Sequence, residues 1–179
     1  MKIFGLVGWS GSGKTTLVTA LLPELISRGY SVSTMKHTHH NFDIDRKGKD
    51  SFEHRIAGAK EVLITGSSRW AILHENRKTK EPSIEQLLER MENVDIVLIE
   101  GFKKHSHQKL EVFRPAVGKP LLAEGDQSII AVASNAQNSD LADLIDKNII
   151  VINLNDIKAV ADFIIEQTGL EVGGGNGTA

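Results

Sequence analysis

At 179 residues the chain has the length of one domain with a real core, and its 40% hydrophobic and 25% charged residues are ordinary for a soluble globular protein. A net charge of −2 gives no overall attraction to nucleic acid or to an anionic membrane, and the lack of cysteine excludes disulfides, thiolate metal sites and cysteine nucleophiles. With no signal peptide and no apolar run of bilayer length, a cytoplasmic protein is expected.

Residues 2–7 form a short apolar run that reads as a buried strand. It leads into Gly8-Trp9-Ser10-Gly11-Ser12-Gly13-Lys14-Thr15, with Thr16 next, which fits the phosphate-binding pattern G-x-x-x-x-G-K-[ST]. From Thr16 to Arg28, Leu17, Leu21 and Leu25 and then Val18, Leu22 and Ile26 recur at helical spacing. The loop therefore joins a strand to a helix, the context this P-loop motif requires. Its glycines let successive backbone amides turn inward as an anion nest, and the following helix adds the unpaired amides of its first turn. Lys14 is expected to reach the β- and γ-phosphates, and the Thr15 hydroxyl to ligate Mg²⁺. A dinucleotide fingerprint fits less well, because position 16 is Thr where a third glycine is needed.

Further along, Pro23 falls inside the first helix and Gly29 is its expected stop. Residues 30–36 read as a second strand, and 36–55 as an ionisable loop passing into a short helix near Asp50. Residues 61–65 and 69–74 read as a hairpin. Ser83 and Gln86 make a capping box ahead of Ile84, Leu87, Leu88 and Met91 at helical spacing. Residues 94–99 are an unbroken apolar strand, the pattern of a central parallel strand, and end in Glu100-Gly101. The alternating segment 110–113 reads as an edge strand. Residues 128–133 and 149–152 read as strands, 139–145 as a short helix. A last helix, capped by Asn155, carries Ile157, Val160, Ala161, Ile164 and Ile165 and stops at Gly169. This order implies an α/β, three-layer P-loop NTPase fold, with a mostly parallel sheet and antiparallel hairpin or edge strands. Residues 1–169 are expected as a single nucleotide-binding domain and 170–179 as a flexible Gly-rich tail.

Right-handed crossovers bring the P-loop and Glu100 to one sheet edge. A strand-end carboxylate there suits the second acidic group of a P-loop enzyme, holding Mg²⁺ or orienting water, so Lys14 and Glu100 are the expected catalytic pair. Gly101 is placed to offer its amide to a γ-phosphate. Among Asp43, Asp45 and Asp50, Asp45 is the choice for a further carboxylate near the metal. Lys36, His37 and His39 are read as contacts to substrate or partner rather than as a zinc site, with His40 beside them. Lys103 opens a basic run with Lys104, His105, His107, Lys109 and Arg114, which reads either as a solvated face or as a positive patch. Asn135, after the 128–133 strand, occupies a place where P-loop proteins often read the base.

At these residues the sequence resembles the molybdopterin-guanine dinucleotide biosynthesis protein B (MobB) family. The resemblance rests on residues 8–16, on Lys36-His37-Thr38-His39-His40, on Gly48-Lys49-Asp50-Ser51 with Arg55 and Ala57-Gly58-Ala59, and on Glu100-Gly101-Phe102-Lys103. It implies a GTP-binding protein with weak, Mg²⁺-dependent GTPase activity, and a homodimer. It also implies a supporting role in attaching GMP to molybdopterin, where a separate nucleotidyltransferase does the chemistry. By position, Gly13, Lys14, Thr15 and Thr16 bind phosphate and metal, and Asp45 and Glu100 fall where acidic groups near the metal are expected. A small-molecule kinase of the P-loop class and a GTP-binding adaptor with negligible turnover are the alternatives.

Overall fold

The computed structural model describes residues 1–38, 42–103, 105–136, 141 and 149–171. His39, His40 and Lys104, the helix expected over 139–145 apart from Leu141, and the tail from residue 172 lie outside the described residues. In chain order the elements are β1 (Lys2–Val7), α1 (Lys14–Ser27), β2 (Val32–Lys36), α2 (Asp50–Ala57), β3 (Glu61–Thr65), β4 (Trp70–His74), α3 (Ile84–Leu88), β5 (Ile96–Glu100), β6 (Lys109–Phe113), β7 (Ile129–Ser134), β8 (Ile150–Asn153) and α4 (Ile157–Thr168). The chain divides into two compact units. One comprises Met1–His37 with Asn93–Ala179, the other Thr38–Glu92.

The first unit is an α/β layer structure on a six-stranded parallel sheet of order β2-β5-β1-β6-β7-β8. β5 lies inside it because Ile96, Val97, Leu98 and Ile99 are apolar on both faces, and all four are buried. Alternation along β1 divides the core. Phe4 and Leu6 face Leu17, Leu21 and Leu25 of α1 and Val160, Phe163 and Ile164 of α4, with Phe4 and Phe163 edge-to-face at 6.2 Å. Val7 faces the opposite way, onto Ala123, Ile129, Val132 and Leu141. α4 is capped by the Asp156 carboxylate, which accepts from the Ala159 amide, rather than by the expected Asn155.

β6 corrects the edge-strand expectation, since it lies between β1 and β7. Its alternation of Lys109 and Glu111 with Leu110 and Val112 imitates a half-solvated strand, yet all four are buried. The Lys109 ammonium donates to the Lys103 carbonyl at 3.1 Å, to Asp126 at 2.9 Å and to the Ser128 hydroxyl. Both Glu111 oxygens accept from the Leu122 amide, and one also accepts from Ala123 at 2.9 Å. Each charge is buried with its partners in place, the condition for burying it at all.

In the second unit, β3 and β4 pair antiparallel with Glu61 opposite His74 and Thr65 opposite Trp70, which is the expected hairpin. Both bonds of the Ser83–Gln86 capping box form and start α3. Arg55, on α2, is held by Asp43, Asp45 and Glu75 and lies over the Phe52 ring at 5.1 Å.

Candidate functional site

The site is built where β1 gives way to α1. Gly8, at φ 149°, passes so close to the Val112 carbonyl that an added Cβ would sit 2.5 Å from it, and 2.7 Å from the Ser12 hydroxyl. Gly13, at φ 99°, then turns the chain into the helix, a conformation that other residues resist. The first-turn amides of α1, from Lys14, Thr15 and Thr16, have no intrahelical acceptor by the geometry of a helix start. Together these features form a cradle for an anion. Ser12 adds a hydroxyl that is buried without a hydrogen-bond partner, a polar atom left for something outside the protein's own network.

The Lys14 ammonium folds over this loop and donates to the Gly8 carbonyl at 3.1 Å and the Trp9 carbonyl at 2.9 Å. Burial lowers its pKa from the ordinary lysine value. The Glu100 carboxylate opposes that shift, while the nearby charges of Lys103 and Lys36 add to it. Three cations and one carboxylate are therefore electrostatically close around the P-loop.

The sheet register explains this convergence. Leu6, two residues before Gly8, lies opposite Glu100, and Lys36 lies opposite Glu100 from the other side. The Lys36 ammonium stands 3.7 Å from the Glu100 carboxylate, whose side chain is only 16% exposed. Thr15 presents a hydroxyl on an exposed residue of the first turn. A hydroxyl and a carboxylate are hard oxygen donors, the set that suits Mg²⁺.

Not every expected residue meets there. The Gly101 amide donates to the Leu6 carbonyl at 3.3 Å, so it extends the ladder instead of presenting itself to a phosphate. Gly101 packs directly on the His37 backbone, and Phe102, at φ 47°, lays its ring over the His37 imidazole with centroids 4.5 Å apart. The His37 amide donates to the Glu100 carbonyl. His37 thus buttresses the turn that carries Glu100. His39 lies outside the described residues. Asp45 belongs to the second unit, where both its oxygens accept from Arg55 at 2.8 and 3.2 Å and its side chain is 2% exposed. That is the environment of a structural ion pair.

The basic run is neither a plain solvated face nor a single patch. Lys109 is enclosed, and burial pushes the His107 imidazole down to about 4, while Lys103 reaches the site. Its ammonium lies 4.5 Å above the Trp9 ring, with Lys119 on the same ring at 5.8 Å, and the Trp9 indole N–H donates to the Pro120 carbonyl at 2.7 Å. Arg114, expected only as the last member of the basic run, has a particular position in the structure. Its Nε donates to the Ser12 carbonyl at 3.0 Å, inside the P-loop. Its position immediately after a strand was the available signal, masked by reading that strand as an edge. Asn135 is exposed at the end of β7 and lines a cavity of about 260 Å³ with Ser134, Ile152, Asn153 and Asn155.

The sequence matches the family described as "Molybdopterin guanine dinucleotide synthesis protein B" over residues 3–135. It is 37% identical to the molybdopterin-guanine dinucleotide biosynthesis adapter protein of Escherichia coli (strain K12), over 93% of both chains. It is 40% identical to the protein of that name from Haemophilus influenzae, over 92% of this chain and 88% of that one. Its structure is similar to a crystal structure of molybdopterin-guanine biosynthesis protein B, with a TM-score of 0.71 and 26% identity over 92% of this chain and 99% of that one. Bacillus subtilis MobB shares the fold at a TM-score of 0.72 and 21% identity, over 96% of this chain and 100% of that one.

Proposed function

The chain belongs to the molybdopterin-guanine dinucleotide biosynthesis protein B family, and from that premise we propose that it is a GTP-binding adapter supporting the attachment of GMP to molybdopterin. A separate nucleotidyltransferase performs that transfer, and this protein turns GTP over slowly with Mg²⁺. The observation that carries the proposal is the pairing of β1 and β5, which sets Glu100 beside the strand that opens into the P-loop.

In this reading the amides of residues 8–16 cradle the polyphosphate. Lys14 exchanges the Gly8 and Trp9 carbonyls for the β- and γ-phosphates. Thr15 and Glu100 would hold the metal, which would supply positive charge against the developing negative charge of the phosphates. Glu100, released from Lys36, also orients the attacking water. Asn135 takes part in base contact. Lys36 and Lys103, flanking the loop, serve the anionic pterin or the partner enzyme, and the Gly101–His37 packing fixes the turn between them. The protein acts as a homodimer in the cytoplasm. Among the described residues no helix is long and apolar enough to cross a membrane.

The test is calorimetric titration of GTP into the parent and Lys14→Ala proteins, followed by turnover assays with and without the nucleotidyltransferase and molybdopterin. Loss of a charge-assisted contact of ~1.5–3 kcal/mol should weaken GTP binding about 10- to 150-fold while the fold persists. Unchanged affinity would remove the P-loop assignment. Phosphate transfer that requires an acceptor hydroxyl would establish the kinase reading, and binding without hydrolysis the pure adaptor.

A further inference from the structure

The carboxyl ends of the six parallel strands form an ordered row. β2 ends in Lys36, β5 in Glu100, β1 in the P-loop, β6 in Phe113 before Arg114, β7 in Ser134 before Asn135, and β8 in Asn153. Val7 lies opposite Glu111, Phe113 opposite Ser134, and Ser134 opposite Asn153. Arg114 therefore stands between the P-loop and the amide-lined cavity at the ends of β7 and β8. The acidic and metal-binding side of the P-loop, with Glu100 and Lys36, is on the opposite flank.

Arg114 is half-buried, and its guanidinium is aimed. Nε donates to the Ser12 carbonyl, and a Cβ placed on Gly13 would lie 3.2 Å from Nε and 3.4 Å from Nη2. The arginine is thereby packed against Gly13 and Ser12 of the loop whose amides form the phosphate cradle. Among the described residues no carboxylate forms an ion pair with it in the structure. One donor of the planar fork fixes its orientation, and the Nη donors remain for a ligand.

A nucleotide with its phosphates in the P-loop and its base at the cavity must pass this fork. Guanine offers two adjacent acceptors, N7 and O6, matched to a guanidinium. Adenine offers N7 beside an amino donor, which repels it. We propose that Arg114 reads the N7–O6 edge of a bound guanine and is the residue that sets base preference, with the Asn135–Asn153–Asn155 cavity receiving the remainder of the ring. The proposal rests on the nucleotide-binding reading above.

The experiment is competitive displacement of a fluorescent GTP analogue from the full chain by GTP, ITP, 7-deaza-GTP and ATP, for the parent, Arg114→Gln and Arg114→Lys. The parent should bind ITP, which keeps N7 and O6, within a few-fold of GTP, and 7-deaza-GTP more weakly. Both variants should lose about 5- to 150-fold of the GTP-over-ATP preference, with ATP affinity within a few-fold of the parent. A parallel fall of GTP and ATP would overturn the proposal, because it would mean that Arg114 merely braces the P-loop through Ser12 or holds a phosphate. Equal binding of GTP and 7-deaza-GTP by the parent would also overturn it. Failure of the nucleotide reading itself shows separately, as a Lys14→Ala variant that still binds GTP.

Discussion

Lys36 and Glu100 face one another across neighbouring parallel strands at 3.7 Å, but their environments differ. The lysine side chain is 63% exposed and the glutamate 16%. A pair with one partner in solvent contributes only ~0.2–1 kcal/mol, a weak tether that the proposed metal would have to displace. Glu100→Gln keeps the shape and removes the charge. GTP affinity should stay within a few-fold, while hydrolysis should fall by roughly 10- to 100-fold, equivalent to ~1.4–2.8 kcal/mol of transition-state stabilisation. Phosphate release measured in a single turnover checks this, and a parental rate would reduce Glu100 to a strand end.

At the scale of elements, the hairpin asks for a partner. A two-stranded ribbon is marginal in water, and one face of this one carries Leu63, Trp70 and Ile72 at 60%, 67% and 49% exposure. Leu63 and Ile72 are directly opposite in the register, so their side chains form one continuous apolar surface. The homodimer proposed above would bury this face against a second copy. Trp70→Glu should shift sedimentation from dimer to monomer at micromolar concentration and leave GTP affinity, which the proposal assigns to the first unit, within a few-fold. A variant that remains dimeric would place the interface elsewhere.

Across the whole molecule, acid stability should reflect the polar residues enclosed in the first unit. His107 is buried against Gly5, its Nδ1 is 2.9 Å from that of His105, and its Nε2 has no partner. Burial, reinforced by His105 and Lys109 and opposed by Asp126, holds its pKa at about 4. The unfolded chain takes up that proton first, so stability falls as pH drops from about 6.5 towards 4. Asp126 acts in the same sense lower down. Burial raises its pKa, but the bonds from Ser128 and Lys109 outweigh this, and the stability it adds is lost as pH falls through its lowered value. Glu111 works the other way, since burial raises its pKa and protonation favours the fold. Urea unfolding at about pH 7.5 and pH 5 should show a loss for the parent that is smaller for His107→Gln. Equal losses would mean that the imidazole does not couple to folding.

The P-loop, the helix after it, the capping box, the hairpin and the central strand ending in Glu100 were legible in the sequence because each is decided locally. Glycine spacing, helical and alternating periodicity, and a cap three residues from its partner need no distant chain. What only the tertiary structure decided depended on distant partners. Lys109 and Glu111 look solvated until Asp126, Ser128, Leu122 and Ala123 arrive to satisfy them, and with them β6 moves from an edge to the interior. That move brings Arg114 to the P-loop, 102 residues away in sequence. Asp45 shows the same limit, because a carboxylate free to take a metal and one held by an arginine ten residues later read alike until the fold brings Arg55 to it.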